Sequence, residues 1–300
     1  MQQTRTVVVV GAGLMGTGIV HAFAVNDCRV RLIETNRNAA EKAVAQIHRL
    51  LDDGVKLGKL DEATREAAQR HITLAERIDA DATVGAELLL ETATEKLDVK
   101  REILRQADEL LSPDALIATN TSALSISELA SFTKRPQRVV GMHFFNPVHK
   151  MKLVEIIRGV ETTPETIERA RQWAKSLQKS SIVVNEAPGF TTSRMSAMMG
   201  NEAMYMLAEG VASAEDVDTA MRLAFNHPMG PLELGDLTGW DTRLAVLQYL
   251  HQSLGEKFRP CPLITKMVKA GRLGRKVGRG IYDYDAQGNK VPGSGLKVFS

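Results

Sequence analysis

The sequence predicts an α/β protein: a doubly wound sheet carrying a helical-hairpin insertion, followed by an all-α domain. Three observations predict it. Short β-branched or leucine-rich runs alternate with helical stretches from Thr6 to Val184. A glycine-rich turn, Gly11-Ala12-Gly13-Leu14-Met15-Gly16, separates the first run from the first helix. After Pro188-Gly189 the strand-like runs stop, and helical periodicity dominates from Thr191 to about Ala270.

The elements follow in order. Thr6–Val10 is a β-branched strand that runs into Gly11. Leu14–Asn26 reads as a helix, with Ile19 and Phe23 one turn apart on its buried stripe. Cys28–Glu34 is a second strand, with Val30 and Leu32 on one face. The charged stretch from Asn38 to about Arg70 reads as a helical hairpin broken at Gly54–Gly58, with Asp61 as an N-cap. Ile72–Leu74, Leu88–Leu90 and Leu116–Ala118 are short apolar runs of the kind buried in parallel sheets. Val139–Phe144, Leu153–Ile157 and Ile182–Val184 extend the strand series. Thr163-Pro164-Glu165 starts a helix, with a cap residue, proline at the first position and an early acid. The change of pattern sets domains of 1–186 and 187–300, and the polar tail from Asp285 reads as a loose end.

Composition narrows the function classes. With 300 residues the chain buries a sizeable core, and a formal net charge of +2 creates no global field for nucleic acid or membrane. No apolar run approaches the length of a membrane span. Cys28 and Cys261 lie far apart and make no metal-ligand spacing, so no metal is expected. The first strand leaves no room for a signal or transit peptide, and a reducing, cytoplasmic location is the expectation. The basic run Lys266, Lys269, Arg272, Arg275, Lys276 and Arg279 reads as a solvated face or as an aid to an anionic substrate; no aromatics interleave with it.

The glycine-rich turn stands in the context that a dinucleotide fingerprint requires, between strand and helix. Gly11 permits the tight turn, Gly13 lets a pyrophosphate approach the backbone, and Gly16 allows close packing of helix on strand. The helix N-terminus, from Leu14 and Met15 onward, offers unpaired N–H groups to phosphates. Glu34 ends the second strand eighteen residues after Gly16. That is close to the spacing of about 20 expected for a ribose-binding acid. A carboxylate there repels a 2′-phosphate and selects NAD over NADP; Arg37 nearby works against that choice. The first domain is thus expected to be of the Rossmann type.

A second constellation lies in Gly141–Ile157, which holds His143, Asn146 and Glu155 between very apolar neighbours. A carboxylate flanked by Val154 and Ile156 is costly to bury unless paired, and His143 is the partner at hand. Such a pair makes a general base near neutral pH. The bland alternatives are a satisfied strand-end histidine and a surface-facing glutamate. Thr119-Asn120-Thr121-Ser122 follows a buried strand, where ligands bind in open α/β sheets. Ser122 there is either a donor to a substrate oxygen or a turn residue. Glu91 to Glu95 ends another strand, and Lys100 lies one helical turn beyond. Glu95 and Lys100 point to the nicotinamide ribose, although Lys100 alone reads as a solvated helix charge. Met195, Met198, Met199, Met204 and Met206 read chiefly as core packing.

The chain resembles the L-3-hydroxyacyl-CoA dehydrogenase family over about Val7 to Tyr284, and most closely its bacterial 3-hydroxybutyryl-CoA branch. The resemblance rests on GAGLMGTGI, ETATEKLDVKREIL, NTSALSI, HFFNPVHKMKLVEII, APGFTTSR, HPMGPLELGDLTGWDT and GRKVGRGIYDY, in that order. It implies NAD-dependent oxidation of a (S)-3-hydroxyacyl-CoA. His143 would take the hydroxyl proton and Glu155 would orient His143. Ser122 and Asn146 would hold substrate oxygens, while Glu95, Lys100 and Ser122 would lie near the nicotinamide ribose. It further implies a homodimer through the C-terminal domain and coenzyme A contacts from Lys56 and Lys59. The family often has asparagine where Ser193 stands before Arg194, so a substrate contact from Ser193 would be shorter. Two other readings keep the fold: a sugar-acid (gulonate-type) dehydrogenase without coenzyme A, and a crystallin-like binding protein. The intact His143 and Glu155 speak against the second.

Overall fold

Strand β1 (Thr6–Val10) is buried on both faces, as its near-continuous valine run requires. It leads through the glycine turn into α1 (Leu14–Ala24). The computed structural model describes residues 4–298, and the chain divides into two compact units, Met1–Ala187 and Pro188–Ser300. In the first unit β2 (Arg29–Ile33) is followed by the helical hairpin α2 (Arg37–Lys56) and α3 (Glu62–His71). Next come β3 (Ile72–Ala75), α4 (Ala80–Thr83), β4 (Leu88–Glu91), α5 (Leu97–Leu110), β5 (Leu116–Thr119) and α6 (Ile126–Ala130). The unit closes with β6 (Val139–Phe144), β7 (Leu153–Arg158), α7 (Pro164–Ser176) and β8 (Ser180–Asn185).

The eight strands form one sheet in the order β3-β2-β1-β4-β5-β6-β7-β8. Every neighbouring pair is parallel except β6 and β7, which are antiparallel. The exception has a simple cause: only a short loop without a helix joins those two strands, and a parallel return needs a crossover. The order reverses between β1 and β4, which makes the carboxyl ends of these strands the ligand crevice of the doubly wound fold. Val7, Val9, Leu32, Leu88 and Leu90 on one sheet face pack with Ile19 and Phe23 of α1, Ile47 of α2 and Trp173 of α7.

Local chemistry sets the boundaries and corrects several expectations. The first helix ends at Ala24, short of Asn26, because the Asn26 amide turns back to the Ala22 carbonyl and Asp27 adopts φ 59°. The hairpin breaks within the expected Gly54–Gly58 stretch, after Lys56, with Gly58 at φ 65°. Gly54 lies inside α2, where a Cβ would come within 2.7 Å of Leu60, so glycine here makes room for the hairpin's return. Asp61 caps α3 as expected, accepting from the Thr64 N–H, and Thr163 caps α7 in the same way. β3, expected to be buried, is the edge strand and is half-exposed.

The second unit contains α8 (Thr192–Ala208), α9 (Ala214–Ala224), α10 (Pro231–Thr238), α11 (Trp240–Leu254) and α12 (Pro262–Lys269). Its core gathers Met204, Leu232, Trp240, Leu247, Phe258 and Tyr282. Of the methionine group, Met204 is fully buried and Met195 is exposed. Two buried aspartates organise this unit. Asp218 accepts from the Leu232 and Glu233 N–H groups at the start of α10, and from the Tyr282 hydroxyl. Asp236 accepts from Trp240 Nε1, the Ile281 and Tyr282 N–H groups and the Tyr284 hydroxyl. Burial pushes both carboxyls above the usual range, against the pull of those donors.

The tail is not loose. The Leu296 N–H donates to the Ile281 carbonyl, the Gly295 N–H to Glu215, and Leu296 and Val298 pack on the core. In the basic run Lys266, Lys269, Arg275, Lys276 and Arg279 are exposed, as a solvated face requires; Arg272 departs from it, partly buried with its Nε donating to the Gly280 carbonyl. Asp236→Ala leaves four donors, three of them buried, without an acceptor and is expected to cost about 3 kcal/mol or more. Thermal unfolding followed by circular dichroism measures this, and an unchanged midpoint contradicts the organising role. Because both aspartates have raised folded-state values, protonation favours the folded state. Their ionisation cost is greatest above the folded-state values and is relieved as pH falls through them towards the ordinary carboxylate range.

Candidate active site

The carboxyl ends of β1, β4 and β5 are level, with Val10 opposite Glu91 and Glu91 opposite Thr119. The glycine turn sits at this edge. Gly11 has φ +106°, a conformation that favours glycine, and its N–H donates to the Ile33 carbonyl. A Cβ on Gly16 would lie 1.9 Å from the Gly11 carbonyl oxygen, so only glycine lets α1 pack this closely. A Cβ on Gly13 would meet nothing within 4 Å. The space over Gly13 is therefore open to a ligand. No side chain caps α1, and Leu14 is exposed at its first turn. Gly13, Leu14, Thr17 and Lys42 line a cavity of about 270 Å³ there. These features fit a dinucleotide pyrophosphate. Glu34 lies beside the turn, its carboxylate accepting from the Ala12 N–H at 3.0 Å and the Asn36 N–H at 2.9 Å. Arg37 is drawn to Glu41 at 3.0 Å.

A buried charge cluster occupies the ends of β4 and β5. Lys100 on α5 is 1% exposed, so it is not the solvated helix charge that its sequence neighbours suggest. Its ammonium lies 2.8 Å from both oxygens of Glu91 and 3.2 Å from Glu95. Glu91 also accepts from the Ala93 N–H and the Thr119 hydroxyl, each at 2.6 Å. Glu95 accepts from the Thr121 hydroxyl, the Ser122 N–H at 2.8 Å and the Ser122 hydroxyl at 3.4 Å. Burial raises the Glu95 carboxyl, but Lys100, Thr121 and Ser122 outweigh it and hold the group below the usual range. Ser122 is thus brought to Glu95. The sequence places Glu91, Thr119 and Thr121 at strand ends near the ligand crevice but assigns them no partners; the visible signal for Glu91 is an acid closing the run Leu88-Leu89-Leu90-Glu91.

His143 and Glu155 are directly opposed in the antiparallel pair β6–β7. Nδ1 of the imidazole lies 2.8 Å from Glu155 Oε2, and Glu155 is fully buried. This excludes the surface-facing reading of the glutamate. A carboxylate at Nδ1 selects the tautomer with its proton on Nδ1, which makes Nε2 the basic nitrogen. The Phe145 ring stands 4.6 Å from the imidazole. Asn120, likewise assigned no partner by the sequence, accepts from the Phe144 N–H at 2.8 Å and ties the Ser122 loop to the histidine strand. Asn146 is exposed in the β6–β7 loop, joined to Pro147 by a cis bond. Lys56 and Lys59 are exposed at the tip of the α2–α3 hairpin, where Lys56 lies 3.9 Å from Asp53. Ser193 belongs to the first turn of α8 in the other unit.

The family model described as 3-hydroxyacyl-CoA dehydrogenase, NAD binding domain, matches residues 6–187, and the one described as the C-terminal domain matches 189–284. The chain is 41% identical to the probable 3-hydroxybutyryl-CoA dehydrogenase of Bacillus subtilis, covering 94% of this chain and 98% of that one. It is 43% identical to the 3-hydroxybutyryl-CoA dehydrogenase of Bradyrhizobium diazoefficiens, over 93% of this chain and 95% of the other. The crystal structure of (S)-3-hydroxybutyryl-CoA dehydrogenase from Ralstonia eutropha superposes with a TM-score of 0.90 at 43% identity, covering 94% of this chain and 100% of that one. The chain belongs to the 3-hydroxyacyl-CoA dehydrogenase family and carries that family's NAD-binding domain.

The position of Glu34 beside the glycine turn predicts the cofactor preference. Glu34→Ala is expected to lower the preference for NAD over NADP by about tenfold or more, because a carboxylate beside the glycine turn repels a 2′-phosphate. Parallel titrations of the two cofactors measure it; an unchanged preference removes Glu34 from ribose recognition.

Proposed function

We propose that this chain catalyses the NAD-dependent interconversion of (S)-3-hydroxyacyl-CoA and 3-ketoacyl-CoA, with a four-carbon acyl chain as substrate. The observation that carries the reading is the buried His143–Glu155 pair at the same sheet edge as the glycine turn. The names of the Bacillus, Bradyrhizobium and Ralstonia relatives support the thioester and the chain length. When bound, NAD supplies a nicotinamide ring that takes hydride from C3 of the substrate, or returns it.

The residues of the chain supply the rest. His143 Nε2 accepts the 3-hydroxyl proton during oxidation and returns it to the ketone oxygen during reduction. Glu155 keeps Nδ1 protonated and stabilises the imidazolium that forms, as the acid of a hydrolytic triad does. Ser122 and Asn146 hold the substrate oxygens. Glu95, the partly exposed member of the charge cluster, meets the nicotinamide ribose, with Lys100 behind it. Lys56 and Lys59 pair with coenzyme A phosphates, and Ser193 contributes a short substrate contact. A homodimer through the second unit completes the reading; Leu223 and Phe225 leave large apolar surface exposed there.

The direct test is NADH oxidation with acetoacetyl-CoA, beside NADPH and a ketoacid lacking coenzyme A. Activity confined to the thioester with NADH is expected; activity with the free acid alone moves the chain to sugar-acid or hydroxy-acid chemistry. His143→Ala is expected to abolish turnover while NADH still binds, and retained turnover excludes it as the base. Glu155→Gln is expected to lower kcat by roughly 10²–10⁴-fold, the scale seen when a triad acid loses its charge. Reversing Lys56 and Lys59 to glutamate should raise KM for the thioester and leave kcat unchanged. A KM that does not move separates the hairpin tip from coenzyme A binding.

A further inference from the structure

The cluster at the ends of β4 and β5 contains more charge than a ribose contact needs. Glu91 accepts from Lys100 at both oxygens, from the Ala93 N–H and from the Thr119 hydroxyl, and each of these is a donor. The ammonium and the N–H can only donate, and a two-oxygen contact with an ammonium is carboxylate geometry. Glu95 is ionised as well, held so by Lys100, Thr121 and Ser122. One ammonium therefore faces two carboxylates, and the cluster carries one net negative charge. Glu91 holds the nearer, two-oxygen contact with Lys100, and Glu95 the longer one. Without Glu91 the same ammonium would neutralise Glu95 completely.

In the doubly wound fold the pyrophosphate lies at the glycine turn. The adenosine half extends towards β2, and the other half towards β4 and β5. The oxidised nicotinamide ring is cationic and the reduced ring is neutral. We propose that Glu91 is a positioning residue that sets the charge of this edge: by engaging Lys100 it leaves a net negative charge on Glu95 that favours NAD⁺ over NADH. The inference rests on the proposed placement of the nicotinamide half at these strand ends. Glu91 acts through Lys100 and Glu95 and touches neither substrate nor cofactor.

Charge and geometry are separable here. Glu91→Gln takes the cluster from one net negative charge to neutral. Glu91→Gln combined with Lys100→Met leaves Glu95 alone and restores the net charge while removing the buried ammonium. Binding of NAD⁺ and of NADH to the full chain is measured calorimetrically for each protein, with the melting temperature alongside. In Glu91→Gln the ratio of NAD⁺ to NADH dissociation constants is expected to rise roughly three- to tenfold, the effect of one partly screened charge within about 10 Å. In the double variant it is expected to return to within about twofold of the parent, because the net charge is restored. A ratio unchanged in Glu91→Gln, even with a lowered melting temperature, overturns the proposal, as does a shift that persists in the double variant. Should Glu91→Gln not fold, Lys100→Met adds a negative charge and must move the ratio the opposite way; no movement there also overturns it. A parent protein that binds neither cofactor form instead refutes the functional reading on which the inference rests.

Discussion

The site depends on one pairing: β6 and β7 run antiparallel in the register that sets His143 against Glu155. Residues opposed in such a pair point to the same face with their Cβ atoms about 5 Å apart. That distance lets a glutamate reach an imidazole without distortion. A slip of one residue would turn Glu155 to the opposite face of the sheet and set Val154 or Ile156 beside the histidine. The register is held from both sides, by the buried valine and isoleucine neighbours of Glu155 and by the parallel partner β8. Asn120 adds a polar tie from β5 to the end of β6, so the histidine strand cannot shift without breaking it.

The same edge shows why its charges come in groups. A buried ammonium such as Lys100 costs several kcal/mol to desolvate, and one carboxylate in good geometry does little more than offset that cost. A second carboxylate adds attraction, but it also adds charge that must be satisfied, and this is met by donors from the Thr121–Ser122 loop. The result stabilises a particular loop geometry more than it stabilises the fold. Removing Lys100 would leave two carboxylates facing each other without their cation, whereas removing either carboxylate leaves Lys100 paired with the other. The second unit shows the contrasting use of buried charge. Asp218 and Asp236 are held by hydrogen bonds from N–H and O–H donors, and their carboxyls are pushed up rather than down. They join helix starts to the chain around Tyr282, where the donors are many and fixed.

How much was legible in the sequence follows from this physics. The glycine turn, Glu34 and the His143–Glu155 pair were legible because each depends on neighbours in sequence or on a costly residue type in an apolar run. The strand series was legible for the same reason. Glu91 and Asn120 were not, because their partners, Lys100 and the Phe144 N–H, are set by the fold of α5 onto β4 and by the alignment of β5 with β6. Lys100 was half-legible: its spacing from Glu95 was visible, but its burial was not, since Arg101 and Glu102 beside it are exposed. The tail misled because its polar composition hides two apolar anchors, Leu296 and Val298. Composition averages over a segment, whereas one packed side chain and one backbone hydrogen bond are enough to fix it.

Glycine carries the remaining part of the argument, and it does so in opposite ways at two positions of one motif. At Gly16 a side chain is excluded by the chain itself, since a Cβ would collide with the Gly11 carbonyl. At Gly13 nothing in the chain excludes a side chain. A residue there would fit the protein and be opposed only by what the protein binds. Gly16 therefore answers to folding and Gly13 to the ligand. Gly13→Ala should leave the stability of the first unit nearly intact while weakening dinucleotide binding, and Gly16→Ala should damage both. Melting temperature and NADH affinity measured on the two variants distinguish these cases; a Gly13→Ala protein with parental affinity would place the pyrophosphate elsewhere.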